Sequence, residues 1–232
     1  MILAAGRGER MRPLTDTLPK PLLQVGRQSL IEHHLENLAR AGFVDIVINH
    51  AYLGAMIEAA LGNGERYGVH IHYSHEPMVL ETAGGIANAL PLLTKQLADQ
   101  PFLTVNADIF CNFEFAKLLP VLQRMQSNPG QSHAHLVLVD NPAHHSEGDF
   151  ALDAHQVTLS GCKKLTFTGM GVYQPRFFSD LAPGMAIKLA PLLRAAIKAE
   201  KVTGEYFDGV WIDVGTPERL QLLNKQLNEN EI

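Results

Sequence analysis

An α/β fold with a doubly wound, mostly parallel sheet and helices on both faces is what this sequence predicts, on three observations. Short apolar runs alternate with amphipathic helical stretches over about the first 140 residues, the rhythm of βαβ units. A chain of 232 residues that is 46% hydrophobic and 19% charged is long enough and apolar enough to bury a sizeable core. After residue 141 the rhythm changes to short strand-like pieces between turn residues, which adds a small antiparallel hairpin region to the sheet.

Taken in order, MILAA reads as a short buried strand. Residues 29–42 read as an amphipathic helix, with Ser29 and Glu32 at capping-box spacing and Gly42 at the exit. Residues 44–49 (VDIVIN) are a strand, 53–61 (LGAMIEAAL) a helix and 69–74 (VHIHYS) a strand. TAGGIANALPLL opens another helix, and 101–108 (PFLTVNAD) is a strand whose apolar face gives way to Asn106 and Asp108. EFAKLLPVLQRMQ reads as helical despite Pro120, and 134–140 (AHLVLVD) as a further strand. The hairpin region follows; then 187–201 is a helix, GVWIDV a last strand, and TPERLQLLNKQL a final helix with Thr216 at the N-cap and Pro217 at its first position. No internal repeat or low-complexity linker interrupts residues 1–232, so one domain is expected.

Composition excludes several classes of function. The net charge is −5 and Lys and Arg are scattered, which argues against a general affinity for nucleic acid. No apolar run approaches the roughly 20 residues that span a bilayer, and the start carries glycine and charge where a signal peptide needs continuous apolar residues. A cytoplasmic protein with small-molecule substrates, monomeric or homodimeric, is expected. Cys111 and Cys162 lack metal-type spacing and read as free thiols, and the HIH and HAH pairs have no signposted third ligand.

The densest chemistry lies in residues 3–23, LAAGRGERMRPLTDTLPKPLL. Gly6 and Gly8 match only two glycines of a dinucleotide fingerprint, Pro13 falls where its helix would continue, and no P-loop pattern is present. What remains is a glycine loop after a first strand, where backbone N–H groups can approach an anion, with Arg7, Arg10, Arg12 and Lys20 adding positive charge. A polyphosphate fits it; a solvated basic loop is the plainer reading. Asp108 and Asp213 each end an apolar strand, and open α/β sheets present ligand-binding groups at such ends. Two carboxylates, completed by phosphate oxygens and water, suit Mg²⁺, although each aspartate would equally serve to cap a turn.

The same segment resembles the signature of the sugar-1-phosphate nucleotidyltransferases, L-A-A-G-x-G-x-R-x-x-P-L-T followed by P-K-P-L. The resemblance continues at LETAGGIANAL, NAD, FTGMGVY and WIDVGTPERL. It implies a Rossmann-like nucleotide-diphospho-sugar transferase fold, a nucleoside triphosphate and a sugar 1-phosphate as substrates, and Mg²⁺ held by Asp108 and Asp213. It implies catalytic roles for Arg10, Lys20 and Asp108, and nucleotide contacts from Ala5, Gly6, Gly8, Glu9, Arg10, Lys20, Glu81, Thr82, Gly84 and Asn106. Glu9 stands where many relatives carry Thr, and Glu81 where many carry Gly. Glu81 together with VLVDNPAHHSEGDF is similar to the bacterial N-acetylmuramate-1-phosphate uridylyltransferases of peptidoglycan recycling. In that reading Asn141, Asp149, Thr168 and Gly169 face the sugar or ribose, while Asn141 and Asp149 also suit plain turns beside Pro142 and Gly148. The family's E-K-P segment is not evident, and Lys163 or Lys164 stands in for its lysine. A mannose- or glucose-1-phosphate nucleotidyltransferase using GTP, UTP or dTTP is the alternative within the class. A nucleotide-sugar-binding regulatory protein without turnover is the alternative outside it.

Overall fold

A computed structural model describes residues 1–95 and 99–229. Its first elements are β1 (Ile2–Leu3), β2 (Gln24–Val25), β3 (Gln28–Ser29), α1 (Leu30–Arg40), β4 (Asp45–His50), α2 (Gly54–Leu61), β5 (His70–His75) and α3 (Glu81–Leu93). There follow β6 (Phe102–Asn106), β7 (Ile109–Cys111), α4 (Leu119–Ser127), β8 (Ala134–Val139), β9 (Phe150–Asp153), β10 (Gln156–Thr158) and β11 (Lys164–Tyr173). The chain ends with α5 (Leu189–Lys198), β12 (Val202–Tyr206), β13 (Trp211–Asp213) and α6 (Pro217–Asn228). The elements read from the sequence are present, with β2, β3, β7 and β12 in addition.

Local chemistry accounts for the boundaries. Glu32 accepts the Ser29 N–H at 2.8 Å, completing the capping box of α1, and the helix buries Leu30, Ile31, His34, Leu35 and Leu38 along one stripe. Pro120 falls in the first turn of α4, where no intrahelical N–H is needed, and a 3-10 turn over Phe115–Leu118 leads in. β12 is hard to read because Gly204 interrupts its apolar alternation. A Cβ there would meet Val157 Cγ2 at 2.8 Å and the Leu136 carbonyl at 2.9 Å, so the glycine marks a close backbone approach.

The chain clusters into two compact units, each assembled from discontinuous segments, which is why no linker marks a boundary in the sequence. The first comprises Met1–Leu80, Asn106–Ala116 and Val210–Ile232. In it β4 runs parallel to β1 on one side and β5 on the other, with Ile48 opposite Ile2 and Asp45 opposite His70. A separate ribbon pairs β7 with β13, Asp213 opposite Ile109, and β2 pairs with β3. A core of Met11, Leu23, Val25, Leu30, Val214, Leu220 and Leu223 packs the 3–23 segment against α6. Side chains of that size contribute about 1.5–3 kcal/mol each on full burial, so the chain that follows the glycine loop is firmly seated.

The second unit comprises Glu81–Val105 and Lys117–Gly209. Here β11 is antiparallel to β6, β8 and β9, β8 is parallel to β12, and β10 joins β12 to β9 by antiparallel pairings. The pairings β11–β8–β12–β10–β9–β11 thus close on themselves. The antiparallel portion is larger than the small hairpin region expected. Between β8 and β11 the chain offers turns and the β9–β10 hairpin but no crossover helix, and without one a strand returns antiparallel.

Candidate active site

The glycine loop is held by its own residues. Gly8 has φ 66, in the left-handed region, and its carbonyl accepts the Thr15 hydroxyl at 2.8 Å. A Cβ on Gly8 would lie 3.1 Å from Thr15 Cγ2 and 3.2 Å from Lys20 Cβ, so the loop packs directly on the lysine stem. Lys20 is 6% exposed, and its Nζ reaches Asp108 Oδ2 at 2.6 Å. An ammonium this deeply placed needs a counter-charge, and Asp108 is its ion-pair partner.

Asp108 is fixed in turn by the strand ends around it. The Leu3 carbonyl accepts the Ala107 N–H at 3.0 Å, and the Asp108 carbonyl accepts the Val214 N–H at 3.0 Å. Because Asp213 lies opposite Ile109, both aspartates are carried at the same end of the β7–β13 ribbon. Asp213 Oδ2 accepts from Arg219 Nη1 at 2.7 Å. A Cβ on Gly215 would meet that guanidinium at 2.9 Å and Asp213 Oδ1 at 3.0 Å, so glycine allows the turn to fold over the pair. Two part-exposed carboxylates from adjacent strands fit a Mg²⁺ ion, which takes one or two carboxylates and completes its shell with phosphate oxygens and water. Among the described residues no cluster of three or more His, Cys, Asp or Glu side chains offers a metal-binding group.

His34 supports the same ribbon from beneath. Its Nε2 lies 2.8 Å from the Ile109 carbonyl, and burial pushes the imidazole down to about 4, so it is neutral at pH 7 and donates from Nε2. The unfolded chain therefore binds a proton that the folded one refuses between pH 6.5 and 4. This contribution to stability is intact above pH 6.5 and lost as pH falls. The expected loss is about 2 kcal/mol between pH 7 and pH 5, seen in urea unfolding of the wild type and missing from His34→Gln.

The remaining expected site residues divide sharply. In the first unit Ala5 is buried, Gly6 faces open space, and Glu9 and Arg10 are exposed. Arg7 stacks over the Tyr52 ring at 5.2 Å, and Asn106 ends β6 half-buried. In the second unit Glu81 is exposed with φ 60, a conformation that disfavours an L side chain by about 1–2 kcal/mol and suits glycine. Thr82 is half-buried beside it. Gly84 is buried, and its N–H, with that of Ala83, is taken by the Ile187 carbonyl at 3.1 and 2.9 Å. What approaches closely at this glycine is the chain's own backbone.

Thr168 is 1% exposed, donates to the Val137 carbonyl at 2.7 Å and accepts the Met170 N–H at 3.1 Å, so its side chain faces the unit's interior. Gly169, at φ 81, lies where the β11–β8 register shifts. Asn141 donates to the Ser146 and Lys164 carbonyls and accepts from Thr166 at 2.9 Å. Asp149 accepts the Phe167 N–H at 2.8 Å and lies 3.1 Å from His145 Nε2. A sugar hydroxyl would find only their remaining lone pairs. Lys163 pairs with Asp140 at 2.6 Å on the surface. Arg219 and Thr15 were not legible as parts of the site; the nearest signal for Arg219 was the charge just inside the final helix.

Comparison with known proteins gives a consistent picture. A family model described as nucleotidyl transferase matches residues 1–148. An N-acetylmuramate alpha-1-phosphate uridylyltransferase of Neisseria meningitidis serogroup B is 51% identical over 225 residues, covering 95% of this chain and 94% of the relative. A mannose-1-phosphate guanyltransferase of Yarrowia lipolytica is 34% identical over 232 residues, and the match spans 60% of that longer protein. Among solved structures, an apo UDP-glucose pyrophosphorylase superposes with a TM-score of 0.76 at 17% identity, covering 100% of this chain and 98% of the other. That last likeness speaks for the fold alone, a Rossmann-like nucleotide-diphospho-sugar transferase fold.

Proposed function

Because this chain belongs to the nucleotidyl transferase family, we propose that it transfers uridylyl from UTP to N-acetylmuramate α-1-phosphate, releasing pyrophosphate and forming UDP-N-acetylmuramate. A phosphate oxygen of the sugar phosphate attacks the α-phosphorus of UTP; the bond from that phosphorus to the bridging oxygen breaks, and its electrons leave with pyrophosphate. Little covalent help is needed, but two polyanions must be aligned and the charge on the leaving group neutralised.

The observation that carries this reading is the Lys20–Asp108 pair at 2.6 Å, its stem packed against Gly8. Asp108 aims a buried ammonium at the mouth of a loop whose N–H groups can take phosphate oxygens. Arg10 is exposed and makes no ion pair among the described residues, leaving its fork available to the triphosphate. Asp108 and Asp213 would hold Mg²⁺, whose chemistry there is neutralisation of phosphate charge. Glu9 and Asn106 are read as further nucleotide contacts, Glu81 and Thr82 as base contacts. Residues 1–232 are read as one nucleotidyltransferase domain serving peptidoglycan recycling in the cytoplasm. No helix among the described residues is long and apolar enough to cross a membrane. Identity to the Yarrowia guanyltransferase supports a second reading, GTP with mannose 1-phosphate. A binding-only protein has no physical need for two carboxylates and a buried lysine at one loop.

Two glycines test the loop separately. A Cβ at Gly6 would meet nothing of the protein within 4 Å, whereas at Gly8 it meets Thr15 and Lys20 in a left-handed backbone. Gly6→Ala is expected to leave stability within about 1 kcal/mol while raising the KM for triphosphate about tenfold. Gly8→Ala is expected to lose about 1–3 kcal/mol in urea unfolding as well as activity. The function itself is tested by pyrophosphate release with Mg²⁺, crossing UTP, GTP, dTTP and CTP with N-acetylmuramate, N-acetylglucosamine, glucose and mannose 1-phosphates. Turnover confined to UTP with N-acetylmuramate 1-phosphate is expected. Preference for another pair retains the mechanism and discards the substrates.

A further inference from the structure

Glu76 is 1% exposed and Asn49 3%, and neither has a part in the chemistry above. Glu76 Oε1 accepts from Asn49 Nδ2 at 2.7 Å and Oε2 accepts the Leu80 N–H at 2.9 Å, while Asn49 Oδ1 accepts the Ala4 N–H at 3.0 Å. The carboxylate thus faces neutral donors, and no salt bridge engages it among the described residues. A neutral amide of nearly the same shape would avoid the desolvation of a buried charge. A carboxylate buried here therefore needs a reason.

The register supplies it. Asn49 lies opposite Leu3, the last residue of β1, so the Ala4 N–H is the first to leave the ladder, and its bond to Asn49 sets the direction in which the chain enters Ala5 and Gly6. An asparagine amide has two nearly isosteric orientations, and only the one with Oδ1 toward Ala4 makes this bond. Both Glu76 oxygens are held as acceptors, Oε1 by Asn49 Nδ2 and Oε2 by the Leu80 N–H, so the carboxylate takes Nδ2 and forbids the flipped amide. Glutamine at position 76 would allow both.

The geometry points to Glu76 and Asn49 as positioning residues. An acceptor-only carboxylate fixes the Asn49 amide, so that the glycine loop leaves β1 with its N–H groups already directed for triphosphate. This rests on the reading of that loop as nucleotide-binding. The same carboxylate holds Leu80, next in the chain to Glu81.

The test exchanges the polarity of the pair. Glu76→Gln alone sets donor against donor or frees the amide to flip, and Asn49→Asp alone sets carboxylate against carboxylate. In the double variant Asn49→Asp/Glu76→Gln, the carboxylate now at position 49 accepts from Ala4 and from the new amide at position 76, whose oxygen accepts from Leu80, so every bond is restored. Each single variant is expected to raise the KM for the triphosphate that the wild type uses by about tenfold or more, with the KM for sugar phosphate little changed. The double variant is expected to return within about threefold of wild type. Losses in the double equal to the product of the singles, or a double that fails to fold, would overturn the proposal. So would singles that lower Tm without moving the triphosphate KM. Amide hydrogen exchange at Ala4 and Leu80 needs no substrate: faster in the singles and restored in the double is the expected result, and exchange unchanged in the singles overturns the lock. A wild type without turnover on the whole grid retires the functional reading and leaves this exchange result to decide the lock.

Discussion

Asp108→Asn is expected to lower kcat for pyrophosphate release by about 10²–10³-fold or more while the protein stays folded. The substitution keeps the shape of the side chain and removes its charge. Two consequences combine: one of the two carboxylates at the end of the β7–β13 ribbon is lost as a metal ligand, and the Lys20 ammonium loses the oxygen that holds it at 2.6 Å. Breaking an ion pair that is buried at both ends is worth about 3–5 kcal/mol, but the Asp108 side chain is 39% exposed, so the expected cost in urea unfolding is only about 1–2 kcal/mol. Recovery of part of the activity at tenfold higher Mg²⁺ would assign the loss to metal binding, whereas no recovery would assign it to the aim of Lys20. A kcat within about threefold of wild type would remove Asp108 from the chemistry.

Lys20→Met should be nearly as severe, with kcat/KM down by about 10²–10³-fold. Methionine retains an unbranched stem to pack on Gly8 and Thr15, so the loop is expected to keep its path and stability to stay within about 1 kcal/mol of wild type. What disappears is a positive charge in a nearly closed place, where electrostatic interactions are strongest. Lys20→Arg is not expected to rescue it, since the lysine side chain is 8% exposed and a planar fork does not fit the space of a compact ammonium. Full activity in the arginine variant would mean that charge alone matters and that the packing against Gly8 is incidental.

The parts of this architecture that local chemistry dictates were legible in the sequence. The capping box at Ser29 and Glu32 and the Thr216–Pro217 start of α6 are settled within a few residues of chain, and both appear as read. Lys20 was legible by its place in the basic glycine loop and Asp108 and Asp213 by their position at strand ends, and the fold brings the three into the same unit. What escaped depends on partners distant in sequence. Nothing near Thr168 announces that the Val137 carbonyl will claim its hydroxyl, and nothing near Gly84 announces the Ile187 carbonyl. Nothing near Glu76 announces Asn49 as its partner. β12 was hidden for the same reason, since the approach that demands Gly204 comes from Val157 and Leu136.

The core that seats the glycine loop has a bearing on how the molecule is made. Met11, Leu23 and Val25 are synthesised well before the residues that cover them, Val214, Leu220 and Leu223. Until those residues are made, the loop's floor is an open apolar strip, exposed at the segment proposed to carry the chemistry. A triphosphate arriving early would find no preformed cradle, so competence arrives with the closing helix, all at once, rather than growing as the chain lengthens.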